Sequence, residues 1–198
     1  MLKLEKIYKS ETVLEILQEA ILSGDLEAGA EITQVEAALS LGVSRMPVRE
    51  ALLSLEYCGL VERLPSQHVR VATLDDETIK NIFDDMALLA VEIIRNLKSD
   101  ELCELVLSTN QFEFHRALRE KIKSPLRKKI FEIMTEVYLS FVLKNSEGMN
   151  NVNEIFKDLL TSIKTLNKNI EEVYKEYSIV LVNEFVKIRK NQRSKDRG

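Results

Sequence analysis

The 198-residue sequence has no tryptophan, two cysteines, three prolines, six glycines and two histidines. Each scarcity excludes something. Cys58 and Cys103 stand 45 residues apart, so neither a disulfide framework nor a zinc knuckle is spelled out, and both read as ordinary reduced thiols. No stretch approaches the roughly 20 apolar residues of a membrane span. The opening MLKLEKIYKSE is too charged for a signal peptide, so a cytoplasmic protein without a membrane partner is expected. With only His68 and His115, no glycine-rich phosphate loop and no nucleophile–base pairing, there is nothing to build catalysis on. The expectation is no enzyme, no catalytic residue and no cofactor.

What is present is 45% hydrophobic and 30% charged, the make-up of a helix-rich globular chain. The net charge is −4, with a split along the chain. Residues 1–75 carry 7 Lys+Arg against 12 Asp+Glu, and residues 76–198 carry 21 against 20. An anionic partner of the N-terminal part would have to be met by a local patch rather than by an overall field.

Apolar periodicity predicts a helix from about Ser10 to Leu22 through Val13, Ile16, Leu17, Ala20 and Ile21, stopped by Gly24. Residues 25–32 suit a turn and a brief strand. Thr33 can cap a short helix, QVEAALSL, with Val35, Ala38 and Leu41 as its buried stripe and Gly42 as its end. A longer helix follows from Arg45 to about Cys58. Ser44 is its expected N-cap, with the hydroxyl accepting an early N–H, and Pro47 falls in the first turn, where a missing N–H is harmless. Val48, Ala51, Leu52 and Leu55 share one face. LVERL (60–64) and HVRVATL (68–74), separated by Pro65, Ser66 and Gln67, read as a hairpin. This order is a helix-turn-helix followed by a wing.

From Leu74 onward only helices are expected, five in about 120 residues, forming an antiparallel bundle. One is opened by Asp75 or Asp76, one by Ser99 without a capping box and one by Ser124–Pro125, and two more run near 152–167 and 169–190. The fold class is thus mostly α. A winged helix-turn-helix with a small β-hairpin wing spans 8–74, an all-α bundle 75–190 and a charged tail 191–198. Phe83, Phe112, Phe114, Phe131, Tyr138, Phe141 and Phe156 recur through the bundle, and ordinary helix packing accounts for them better than an apolar ligand does.

The residues VSRMPVREALLSL (43–55) and GLVER (59–63), with Ile21, Gly24 and Gly29 spaced before them, resemble the GntR family of bacterial transcription regulators over roughly residues 10–73. Phe114–Leu118, FHRAL, with the Ser124–Pro125–Leu126 helix start, resembles the helical effector domain called FCD in the FadR-type branch. The resemblance implies a homodimer that binds double-stranded DNA at a palindromic operator, with a small-molecule effector in the helical domain. Arg45 and Arg49 would meet guanine edges and phosphates, which explains why no acid stands three or four residues from either. The implied DNA-binding set is Thr33, Gln34, Ser44, Arg45, Met46, Pro47, Arg49, Gln67 and His68. Met46 replaces the usual threonine, Val35 stands where some members carry a base-reading arginine, and Gln67–His68 replaces an Arg-Gly wing tip. The Val35 and wing-tip departures point to weaker or altered readout, and so does the acidic balance of residues 1–75.

The branch often holds a divalent metal with an Asp four residues before this histidine and two later histidines. Here Gln111 precedes His115 and no histidine follows it, so no metal site is expected. His115 reads as a pocket-lining or core-edge residue. Met86 takes the place of the branch's usual arginine, leaving Gln111, His115, Met86 and Arg116 as the effector-pocket candidates. The competing reading is a protein-interaction scaffold that keeps the winged-helix fold but binds DNA weakly.

Overall fold

The computed structural model describes residues 12–66, 68–108, 110–146, 150–165 and 169–195, of which 193–195 are described by backbone alone. They fall into two compact units. One comprises the residues up to Asp75 with those from Arg189 on; the other is Asp76–Ile188.

In the first unit, helix α1 (Val13–Ser23) starts at Thr12, two residues after the expected Ser10, which lies outside the described residues. Thr12 and Glu15 satisfy each other's backbone N–H groups in a capping box. Strand β1 (Glu31–Ile32) and helix α2 (Gln34–Leu41) follow, α2 being capped by Thr33. Gly42 then takes a left-handed conformation (φ 69°) that a side chain would resist, and this turns the chain into α3 (Arg45–Tyr57). Strands β2 (Val61–Arg63) and β3 (Val69–Val71) form the wing, and β1 pairs with the other edge of β3 to give an antiparallel sheet ordered β1-β3-β2. Leu17 and Ile21 of α1, Val48 and Leu55 of α3, and Ile32 and Val69 of the sheet are all essentially inaccessible to solvent.

Two local expectations change. The buried stripe of α2 is Ala37, Ala38 and Leu41, while Val35 is 47% exposed. Adding Ala37 rotates the centre of the buried face away from Val35. Ser44 has the extended backbone of an N-cap, yet its hydroxyl makes no capping bond.

The second unit contains helices only among its described residues. These are α4 (Asp76–Arg95), α5 (Ser99–Val106), α6 (Gln111–Glu120), α7 (Pro125–Ile133), a π-helical segment (Met134–Leu139), α8 (Ser140–Asn145) and α9 (Asn150–Lys164), with α10 (Ile170–Lys195) contributing its part up to Ile188. The stretch expected as one helix from Ser99 is two, because Asn110 accepts the Glu113 N–H at 3.0 Å and starts α6 afresh. Its first half begins one residue earlier than expected: Lys98 is the N-cap, and Glu101 accepts its backbone N–H at 3.1 Å. Pro125 stands at the start of α7 as expected. The π-helical segment carries Thr135, whose hydroxyl donates back to the Phe131 carbonyl at 2.9 Å, a side-chain intrusion that accompanies broken helical register. Helix α10 continues to Lys195, through most of the stretch read as a charged tail. The aromatic side chains pack on one another at edge-to-face or tilted angles, as in Phe114–Phe156 at 5.3 Å and Phe141–Phe185 at 5.0 Å.

Candidate nucleic-acid interface and a buried polar cluster

Helix α3 is held by its apolar face, and Val48, Ala51, Leu52 and Leu55 are all buried. At about 100° per residue, this burial leaves Arg45, Met46 and Arg49 on the outer arc of the first turns. All three are exposed, and Pro47 is half-buried. Arg45 and Arg49 make no hydrogen bond or ion pair among the described residues. By contrast, Arg63 on β2 is tied to Glu56 of α3 by a bidentate pair with a 2.6 Å contact, which fastens the wing to the C-terminal end of the helix. The outward cations on α3 are therefore free for an external anion.

The Thr33 hydroxyl is already engaged, accepting the Glu36 N–H at 3.1 Å and donating to its carboxylate at 2.8 Å. Gln34 is half-buried and Ser44 exposed, its hydroxyl uncommitted. In the wing, His68 Nδ1 lies 3.7 Å from Glu31, and Arg70 lies 3.9 Å from the same carboxylate. Gln67 lies outside the described residues. Arg70 was missed in the sequence, although the alternation of β3, buried–exposed–buried over Val69–Val71, turns it outward beside His68.

The second unit brings Gln111 and His115 together as neighbours on α6, and adds three residues that the sequence did not single out, Tyr174, Tyr177 and Asn153. His115 Nδ1 donates to the Gln111 carbonyl at 2.7 Å, so Nε2 is the acceptor and receives the Tyr174 hydroxyl at 2.8 Å. The Tyr177 hydroxyl donates to Gln111 Oε1 at 2.5 Å, and Gln111 Nε2 donates to Asn153 at 3.1 Å. Burial holds the imidazole neutral, its pKa pushed down to about 4, and drives both tyrosine hydroxyls upward. Every polar atom of the imidazole is satisfied from within. Such a ring has no lone pair to offer a metal, Gln111 supplies only an amide, and the described residues hold no group of three His, Cys, Asp or Glu placed to bind one. The residues do not fit the metal of the FadR-type branch.

Met86 is fully buried, whereas Arg116 is exposed and reaches Glu136 at 3.1 Å. Arg116 is therefore not part of the cluster: on α6 it is the residue after His115, and a step of about 100° turns it to solvent. An open groove of about 1040 Å³ lies elsewhere in the same unit, with Val91, Ile130 and Met134 among its apolar lining and Arg95, Glu171 and Lys175 among its charged lining. None of the four effector-pocket candidates lines it. Among the described residues no helix is long and apolar enough to cross a membrane.

Comparison with known proteins agrees with the first unit's geometry. Residues 9–71 match the model of the bacterial regulatory proteins of the gntR family. The HTH-type transcriptional regulator YdhC of Bacillus subtilis is 25% identical over 76% of this chain and 67% of its own length. A regulator from an unstable DNA locus of Streptomyces ambofaciens is 41% identical over 30% of this chain; the match spans 25% of that protein. Among solved structures, Lar, which controls expression of the Listeria monocytogenes agr system, superposes with a TM-score of 0.61 at 16% identity, covering 91% of this chain and 99% of Lar. Escherichia coli McbR/YncC superposes with a TM-score of 0.52 at 21% identity, covering 91% and 96%. Residues 9–71 thus form a helix-turn-helix domain that the gntR family model describes, a helical domain follows it, and the relatives it resembles are HTH-type transcriptional regulators.

Proposed function

We propose that this protein is a sequence-specific transcription regulator that binds a palindromic operator in double-stranded DNA as a homodimer. The observation that carries this reading is the pair of exposed arginines, Arg45 and Arg49, without a partner among the described residues, on the first turns of the second helix of a helix-turn-helix. That part of such a helix enters the major groove, and the arginine fork matches guanine O6 and N7 or a phosphate. Ser44, Arg45, Met46, Pro47 and Arg49 are the contact residues on α3. Thr33 and Gln34 at the start of α2, and Gln67 and His68 at the wing, are the flanking ones. Arg70 joins the wing set on its exposure beside His68. Two-fold symmetry of the protein would mirror that of the operator.

The helical domain, read as FCD-like, is the seat of control by a small-molecule effector. The groove beside α4 supports that reading better than the sealed cluster around His115, since it is open, of ligand size and lined by both apolar and charged groups. The test is binding of the full chain to DNA from upstream of its own gene at several salt concentrations. A saturable, sequence-selective complex whose affinity falls steeply with salt is expected. Feeble, non-selective binding by a folded dimer would favour the scaffold reading.

A further inference from the structure

The recognition surface contains a chemical mismatch. Beside two bare guanidinium groups stands Met46, 61% exposed, on the first turn of α3, and Val35 is 47% exposed on the first turn of α2. Met46 follows Arg45 in the chain and lies roughly 60° from Arg49 around the helix, so a partner that meets Arg49 meets Met46 as well. That partner must offer anionic or acceptor atoms and an apolar group within one helical turn. The DNA major groove does so: guanine and phosphate supply the acceptors, and the C5-methyl of thymine is the apolar group on its base edges. Methionine brings no hydrogen-bond donor and a flexible thioether stem, and valine brings no polar atom at all. Neither can read a base by hydrogen-bond donation.

We infer that Met46, with Val35 as its counterpart on α2, reads thymine C5-methyl groups in the operator. Specificity is thereby divided between arginine–guanine hydrogen bonds and apolar contacts to thymine. This rests on the DNA-binding reading above. Leu53 and Tyr57 are also exposed, but they stand in the later turns of α3, beyond the part that enters the groove, and carry no such assignment.

The full-length protein is used to enrich sites from a pool of random-sequence duplexes. The enriched duplex is then remade with deoxyuridine replacing one thymine at a time, which deletes the methyl and leaves base pairing intact. For the wild type, affinity should fall about fourfold at each thymine whose methyl is buried in the complex. Met46→Ala should bind the thymine and deoxyuridine forms equally at one such position, and Val35→Ala at another, with folding of each variant checked by circular dichroism. Deoxyuridine replacement that leaves wild-type affinity unchanged at every thymine would overturn the inference while leaving DNA binding standing. So would undiminished methyl sensitivity in Met46→Ala. Failure to enrich any sequence would overturn both, and would point to a protein partner for the same face.

Discussion

Acidification from pH 7 to pH 4 puts a defined load on His115. The ring is neutral in the folded chain, with Nδ1–H given to the Gln111 carbonyl and Nε2 taken up by Tyr174, and the side chains packed on it from α6, α7 and α10 (Phe114, Phe131, Tyr174, Tyr177) carry no charge to stabilise an imidazolium. Its folded pKa is about 4 against 6.5 for a free histidine, with desolvation as the dominant cause. Between those values the unfolded chain binds the proton and the folded chain does not, so stability rises with pH across the window and is lost as pH falls from 6.5 towards 4. The full loss is roughly 3 kcal/mol, of which about 2 kcal/mol has gone by pH 5.

Urea unfolding followed by far-ultraviolet circular dichroism, at pH 7 and pH 5, measures this directly in the wild type and in His115→Gln. The difference between the two proteins isolates the imidazole from the carboxylates. Glu92, Glu101 and Glu120 have lowered pKa values because each carboxylate is held by hydrogen bonds, to Arg127, to the Lys98 backbone and Lys121, and to Lys128 in turn, so their contribution is lost at lower pH. A variant that loses as much stability as the wild type between pH 7 and pH 5 would refute the argument. So would an His115 ring that titrates near 6.5 by NMR, a spectrum simplified by the presence of only two histidines.

Tyr174→Phe should cost about 1–3 kcal/mol in urea unfolding, because it leaves His115 Nε2 buried without its donor; an unchanged midpoint would mean that the bond contributes nothing. Addition of zinc should leave the melting temperature where it was, since both imidazole nitrogens of His115 are already bonded, and a rise of several degrees would show a metal site that this geometry forbids. Arg49→Ala should weaken binding to the selected operator by roughly 1–3 kcal/mol and relax its sequence preference, whereas equal affinity would remove α3 from the recognition surface. Leu55→Ala, at a position with no solvent exposure in the first unit, should destabilise that unit by about 2–5 kcal/mol in thermal unfolding; a smaller loss would mean that the core closes over the cavity.

Helix α3 was legible because its signals agree: a turn glycine at Gly42, an extended Ser44, a proline in the first turn and four apolar residues on one face. Helix α2 was half-legible. Its real stripe includes Ala37 and Ala38, whose small side chains bury deeply but look weak beside the larger, exposed Val35. The break between α5 and α6 was hidden by an apolar run, Leu105–Leu107, that carries helical periodicity up to the junction. The signal that could have found it was Asn110 followed three residues later by Glu113. Of the His115 cluster only the α6 half, Gln111 and His115, was legible. Tyr174 and Tyr177 approach it from 59 and 66 residues away along the chain, and local pattern does not announce a long-range hydrogen bond. Its consequence reaches function, because those hydroxyls take up His115 Nε2 and Gln111 Oε1, the side-chain atoms that a ligand there would need.

The central claim, that the outer face of α3 with the wing meets DNA, is tested most directly by titrating a selected duplex into the isotope-labelled full chain and following its backbone amide signals. The largest changes should fall on Thr33 and Gln34, on Ser44–Arg49 and on His68–Arg70, and they should fade as salt is raised. Changes that bypass Ser44–Arg49, or that ignore salt, would contradict the account.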